Sequence, residues 1–255
     1  MKITSNEIIR WLFDDEKFGK ALESIESTYP DMSKMPTDIM VTMGWCYYRL
    51  GKYDQADQMG QMAVDYGDVN GFKIIAQKAA YIDHDEKQVL EILEIDSLAN
   101  DLGVVNALVV VARYPGSTVT IPQVIEIVCR ITGSKEIAAA NILNNAGRLV
   151  QEKATCAEDF IKAFGLMSLA LGKYETKKNG KMVNLHHRAA LLFWISKIWE
   201  NLGSLDQAFI VSKKSLSLWY KQVKLDPENQ EFKVKLENAK KRVEELAAEM
   251  LKTKK

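Results

Sequence analysis

The chain has 255 residues, longer than the ~100 to 150 of a usual single-core domain. Hydrophobic residues at 47% and charged residues at 27% describe an ordinary folded protein and exclude disordered and collagen-like classes, while 14 glycines and 5 prolines favour long helices over many tight-turned strands. Lys and Arg (34) balance Asp and Glu (34), so no overall field draws the molecule to nucleic acid or to an anionic membrane.

Apolar residues recur at helical spacing in about thirteen segments, and none shows sustained strand alternation. The first residues, Met1 to Glu7, lead into an amphipathic stretch with acidic groups, unlike a signal peptide, and the expected location is the cytoplasm. Thr4-x-x-Glu7 is a capping box that opens the first helix. Ile9 and Leu12, then Phe18 and Ala21, mark a first helical hairpin. Gly44, Tyr47, Gly51, Tyr53, Ala56 and Ala63 mark a second, with a small residue allowing close approach, a turn at Gly51 and a return helix packed through its alanine. Val104 to Ala112 is β-branched but sits in a continuous run from Leu98 to Tyr114, and reads as a core helix too short to span a membrane. Pro115 to Thr118 is an irregular connection, and Lys177 to Lys181 a second.

Further along, Thr155-x-x-Glu158 predicts another capping box, Gly165 and Gly172 repeat the glycine spacing of Gly44 and Gly51, and Gly133 and Ala138 keep the glycine-to-alanine spacing. Trp199, Gly203, Leu205 and Ala208 echo the second hairpin. Asp226-Pro227 predicts a capped helix start. Phe232, Leu236, Ala239, Val243, Leu246 and Met250 then form one apolar seam, read as a solvating cap on the last hairpin, with a homodimer helix as the second reading. These boundaries suggest hairpins over 1–114, an irregular helical hairpin over 115–155, and hairpins with a capping helix over 156–255.

Residues that carry chemistry are sparse. Gly44 to Lys52 has six residues between its glycines where a phosphate loop has four, and Tyr53 stands where that loop needs a hydroxyl for magnesium. No dinucleotide, zinc-protease or hydrolase motif occurs. Asp83-His84-Asp85-Glu86 reads as a solvated turn, and His186-His187 opens a helix whose adjacent side chains diverge by ~100°, too far to share a metal. Three cysteines, Cys46, Cys129 and Cys156, without CxxC spacing, suit reduced thiols. No catalytic residue, metal or cofactor is expected.

The repeated hairpin signature resembles the tetratricopeptide repeat. Gly44, Tyr47, Gly51, Tyr53, Ala56 and Ala63 match its pattern position by position, and the hairpins at Ile9 to Ala21 and Trp199 to Ala208 match it in part. From Gly71 to Lys153 little of the pattern remains. The resemblance implies an all-α right-handed solenoid of helical hairpins whose first helices line a concave groove for a protein partner. Val41, Trp45 and Tyr48 form an apolar stripe that an amphipathic helix does not need for its own core face, and such residues would line the groove. The equivalent stripes are Asn6, Arg10, Phe13 and, with one extra residue in the turn at Asp83 to Glu86, Lys73, Gln77, Tyr81. Arg10, Arg49 and Lys73 interleave with the aromatic residues, so the expected ligand is a protein or peptide segment with acidic and apolar side chains. Family members with a clamp for a C-terminal carboxylate place Lys and Asn where this chain has Asn6 and Arg10, which argues against that ligand. The expected function is a non-catalytic scaffold, chaperone or adaptor. Trp45 as ordinary packing between repeats is the plainer reading of that residue, and a helical enzyme subunit or a nucleic-acid-linked regulator built on Gly71 to Lys153 is the alternative function.

Overall fold

The computed structural model describes residues 4–134, 136–174, 177–178, 181–182 and 184–253, the two short pairs by backbone alone. The all-α expectation holds: the described residues form thirteen α-helices and a single two-residue antiparallel ladder, Lys177–Lys178 with Lys181–Met182. Two compact units meet between Val119 and Thr120. The first contains α1 (Ser5–Asp14), α2 (Phe18–Thr28), α3 (Thr37–Arg49), α4 (Tyr53–Asp65), α5 (Gly71–Lys78), a π turn over Ala79–Asp83, α6 (Glu86–Leu93) and α7 (Leu102–Val111). The second contains α8 (Ile121–Cys129), α9 (Ile137–Lys153), α10 (Ala157–Tyr174), α11 (Leu185–Asn201), α12 (Leu205–Leu225) and α13 (Gln230–Thr253).

Consecutive helices pack against one another, and several of the turns between them share one hydrogen-bond pattern. At the end of α3 the Lys52 amide donates to the Tyr47 carbonyl at 2.9 Å and the Gly51 amide to Tyr48 at 3.1 Å. This is a Schellman motif, which satisfies carbonyls a helix end leaves orphaned. It recurs after α11, where Ser204 donates to Trp199 at 2.8 Å, and after α1, where Lys17 donates to Leu12 at 2.9 Å. The pivot residue is left-handed each time, with φ of +75° at Gly51, +76° at Gly203 and +57° at Glu16. Only the first hairpin places a side-chain-bearing residue there.

Glycines also set how closely helices cross. A methyl group at Gly44 would lie 2.6 Å from Cδ1 of Ile74 on α5 and 3.4 Å from the Ala56 carbonyl on α4, so Gly44 admits two neighbours at once. One at Gly71 would run into the Gly60 carbonyl. The core of the first unit runs through these crossings: Ile9, Ala21, Ile25, Ile39, Met40, Ala56, Ala63 and Ile74 are fully buried. Helix α7, read from sequence as a core helix, buries Val104, Val105, Ala107, Leu108, Val109 and Val111.

Several local expectations are corrected. Helix α10 runs through both Gly165 and Gly172 without a turn, and neither glycine has a neighbour within 4 Å; the close approach lies on its partner, where a methyl at Gly147 of α9 would sit 2.7 Å from Met167. Likewise Ala138 is exposed while Ala139 and Ala140 are buried, so the Gly133-to-Ala138 echo carries no helix contact. Helix α10 begins at Ala157, one residue past the frame a Thr155–Glu158 box requires, and the Thr155 amide donates to Asp159 instead. Asp226 and Pro227 form the turn after α12, and Asn229 caps α13 by accepting from the Phe232 amide at 3.1 Å. The Thr4–Glu7 box forms as expected, and a second forms at Thr120–Gln123 with Pro122 in the first turn.

The seam of α13 packs inside its own chain: Leu236, Ala239 and Leu246 are buried, with Leu236 and Ala239 clustered on Ala189 of α11 and Trp219 of α12. Val243, Phe232 and Met250 of the same seam are only part-buried. The balanced charge also proves to be a sum of opposites. The first unit has 11 Lys and Arg against 19 Asp and Glu, a formal −8, and the second has 23 against 15, a formal +8.

Candidate functional site

The residues expected to line the groove lie on α1, α3, α5 and the π turn after α5; α1 packs on α3, and α3 on α5. On α1, the Asn6 Oδ1 accepts from the Tyr29 hydroxyl at 2.5 Å. Arg10 reaches the Asp38 carboxylate on α3 at 2.5 Å. Phe13 meets Phe18 edge-on at 5.6 Å between ring centres, closing the hairpin. On α3, Val41, Trp45 and Tyr48 are half-buried against the core; Trp45 packs edge-on to Tyr48 at 5.7 Å, and Tyr48 to Tyr53 at 5.4 Å. The exposed Arg49 guanidinium lies 5.9 Å from the Phe18 ring centre.

From α5 and the π turn that follows it, three side chains reach the start of α7. Lys73 pairs with Asp101 at 2.8 Å, Gln77 donates to the Gly103 carbonyl at 3.0 Å, and the Tyr81 hydroxyl accepts from Asn106 at 2.8 Å. Asp101 also caps α7, accepting from the Gly103 and Val104 amides. The π turn over Ala79–Asp83 widens the end of α5, and beyond it the Asp85 amide donates to the Ala79 carbonyl at 2.8 Å. Burial raises the Tyr48 and Tyr81 hydroxyls above the usual tyrosine range, with Tyr81 adding to the effect on Tyr48.

This geometry changes the role of the cations. Arg10 and Lys73, expected to select carboxylates of a ligand, are already held by Asp38 and Asp101, and Arg49 lies over an aromatic ring. Arg10, Lys73, Gln77 and Tyr81 tie α1 to α3 and α5 to α7, while Phe13, Trp45 and Tyr48 stay half-buried and Arg10, Arg49 and Tyr81 are exposed. Asp38, Asp101 and Asn106 were not read as partners, since each lies about 25 or more residues from the group it meets and no short-range pattern joins them.

The Asp83–Glu86 cluster is structural and not simply solvated. Asp83 pairs with Lys78 at 2.8 Å, His84 stacks on Tyr114, Asp85 caps α6, and Glu86 accepts from the Ser117 hydroxyl at 2.6 Å and from Thr118. The hydroxyl donors hold the Glu86 carboxyl below the usual range. Four consecutive side chains thus point to four different partners and fasten the 115–119 connection to α6. His186 and His187 do not diverge as expected: their ring centres lie 4.0 Å apart, with His186 also beside Phe232 and His187 stacked on Tyr174. Burial pushes the Cys46 thiol up to about 12, which leaves almost no thiolate at neutral pH. Among the described residues no group of three His, Cys, Asp or Glu side chains converges to hold a metal, and no helix is long and apolar enough to cross a membrane.

No family model matches the chain, and no curated protein matches it in sequence. Among solved structures, the chain is similar to a thermophilic TPR protein of Thermus thermophilus at 14% identity over 80% of this chain and 98% of that one, with a TM-score of 0.48. It is similar to BtubC from P. vanneervenii at 13% identity over 86% and 79% of the two chains, with a TM-score of 0.44. Both scores are below 0.5, and the hairpin fold is read from the chain's own helices and turns.

Proposed function

We infer that the protein is a non-catalytic scaffold, a cytoplasmic adaptor or chaperone that holds a partner protein along the first helices of its hairpins. One observation carries this reading: Phe13 on α1 and Trp45 and Tyr48 on α3 are only part-buried, and Tyr81 in the π turn after α5 is exposed, although α1, α3 and α5 already have fully buried core residues. Aromatic faces supply contact area at low conformational cost. With Arg10 and Lys73 committed within the chain, the partner segment for this face is chiefly apolar. The two exposed free thiols, Cys129 and Cys156, suit a reducing compartment.

Affinity capture with the intact chain, identification of the bound protein, and titration of that protein against Trp45→Ala test the reading. An anchoring Trp45 costs about 2 kcal/mol or more in affinity at near wild-type stability. A tryptophan that serves the core instead costs about 3 to 5 kcal/mol of stability. Unweakened binding by a stably folded Trp45→Ala removes the groove.

A further inference from the structure

A second aromatic hollow lies in the basic unit. Ala190, Phe193 and Trp194 of α11, Trp219 of α12, and Lys235 and Asn238 of α13 line one pocket. Trp219 is buried and forms its floor, Lys235 and Asn238 are exposed at its rim, and Lys235 is its one ionisable liner among the described residues. The Trp194 ring carries two further cations, with the Arg148 guanidinium 4.4 Å and the Lys197 ammonium 4.7 Å from its centre.

Several nearby acids already have cation partners. Glu200 is taken by Arg242 at 2.6 Å and Glu237 by Lys240 at 2.5 Å, while Glu152 sits 3.8 Å from Arg148 as a loose one-turn pair. Lys197 and Lys235 make no ion pair among the described residues. An apolar pocket with Lys235 at its rim and Lys197 over the adjoining Trp194 ring, in a unit of formal charge +8, is complementary to a ligand that joins an apolar side chain to carboxylates.

We propose that this pocket binds an acidic segment of a partner protein, seating one bulky apolar side chain between Phe193, Trp194 and Trp219 and its flanking carboxylates on Lys197 and Lys235. The proposal rests on the scaffold reading and adds to it a second site with a partner class of its own. A single-stranded nucleic acid is the weaker fit. Single-strand binding stacks successive bases on open aromatic faces, whereas Trp219 is buried within one hollow.

The test uses the full chain and a fluorescein-labelled twelve-residue peptide of alternating Glu or Asp with Leu and Phe, followed by fluorescence anisotropy. The proposal expects saturable binding that weakens from 50 to 300 mM salt and falls at least tenfold in both Lys235→Glu and Lys197→Glu, with helicity and melting temperature near wild type. Lys235→Gln, which alters an exposed side chain without reversing its charge, should lose affinity less. Absence of saturable binding, or binding that both lysine reversals leave intact, overturns the proposal. So does an unlabelled twelve-nucleotide single strand that binds the wild type more tightly than the peptide and is lost in the same variants. Trp45→Ala, titrated in parallel against the captured partner, reports on the scaffold reading by itself, so this pocket can fail while that reading stands.

Discussion

Arg242 of α13 grips Glu200 of α11 with both ends of its guanidinium, Nη1 to Oε1 at 3.1 Å and Nη2 to Oε2 at 2.6 Å, with the arginine side chain only 10% exposed. Two parallel charge-assisted bonds fix direction as well as distance, so the pair sets how the capping helix lies across the last hairpin. Arg242→Met leaves Glu200 without that partner and should cost about 2 to 3 kcal/mol. The double variant Arg242→Met with Glu200→Leu should recover most of the loss, because the desolvation cost leaves with the pair. Urea denaturation of the four members of this cycle measures both numbers. Additive losses would show that the bridge does not couple the helices.

Ser212 and Ser215 stand one turn apart on α12, both buried, and should respond oppositely to the same change. The Ser215 hydroxyl donates to the Ala189 carbonyl at 2.7 Å, whereas the Ser212 oxygen is buried without a hydrogen-bond partner. Ser215→Ala should destabilise by about 1 kcal/mol, and Ser212→Ala should be neutral or stabilising by up to about 1 kcal/mol. Thermal melts of the two single variants decide it by sign.

Glu16 holds φ at +57° where the corresponding turns use Gly51 and Gly203. A left-handed conformation costs a residue with a Cβ roughly 1 kcal/mol or more, a cost glycine escapes. Glu16→Gly should therefore raise the melting temperature of the first unit by about 3 °C, near 1 kcal/mol, and Gly51→Ala should lower it by a similar amount. A lower melting temperature for Glu16→Gly would mean that the glutamate side chain contributes more than the turn strain removes.

His186 and His187 are both pushed below the ordinary imidazole value by burial, with the neighbouring ring adding to His187 and Glu231 partly opposing on His186. Near neutral pH and above, neither state is protonated and nothing is lost. As pH falls through the ordinary imidazole range, the unfolded chain takes up protons that the folded one resists, so stability must fall with it. The melting temperature of the second unit should drop between pH 7.5 and 5, and His186→Gln with His187→Gln should flatten that slope. An unchanged slope would assign the acid sensitivity to other groups.

The elements that sequence revealed were those fixed by local chemistry. Gly51 and Gly203 mark turns because the left-handed pivot comes cheaply to glycine, and the seam from Phe232 to Met250 is visible because its spacing matches one helix face. Gly165 and Gly172 misled because a mid-helix glycine costs only about 1 kcal/mol, which the long packing of α10 against α9 offsets. The cap at Asn229 was missed because Asp226-Pro227, an equally good start signal, belongs to the preceding turn. At the candidate site the aromatic stripe was legible from helical periodicity. The pairing of Arg10 with Asp38 and of Lys73 with Asp101 was not, since 28 residues separate each pair and only the stacking of hairpins brings them together.

The partition of charge at Val119 makes a chain that is neutral in sum an ampholyte by halves. At pH 7 it should scarcely migrate in an electric field, yet be retained by both anion- and cation-exchange resins, each through a different unit. Concentrated salt should release it from either, as the Debye length shrinks to about 3 Å at 1 M. A protease cut in the connection after Tyr114 would yield fragments that run to opposite electrodes.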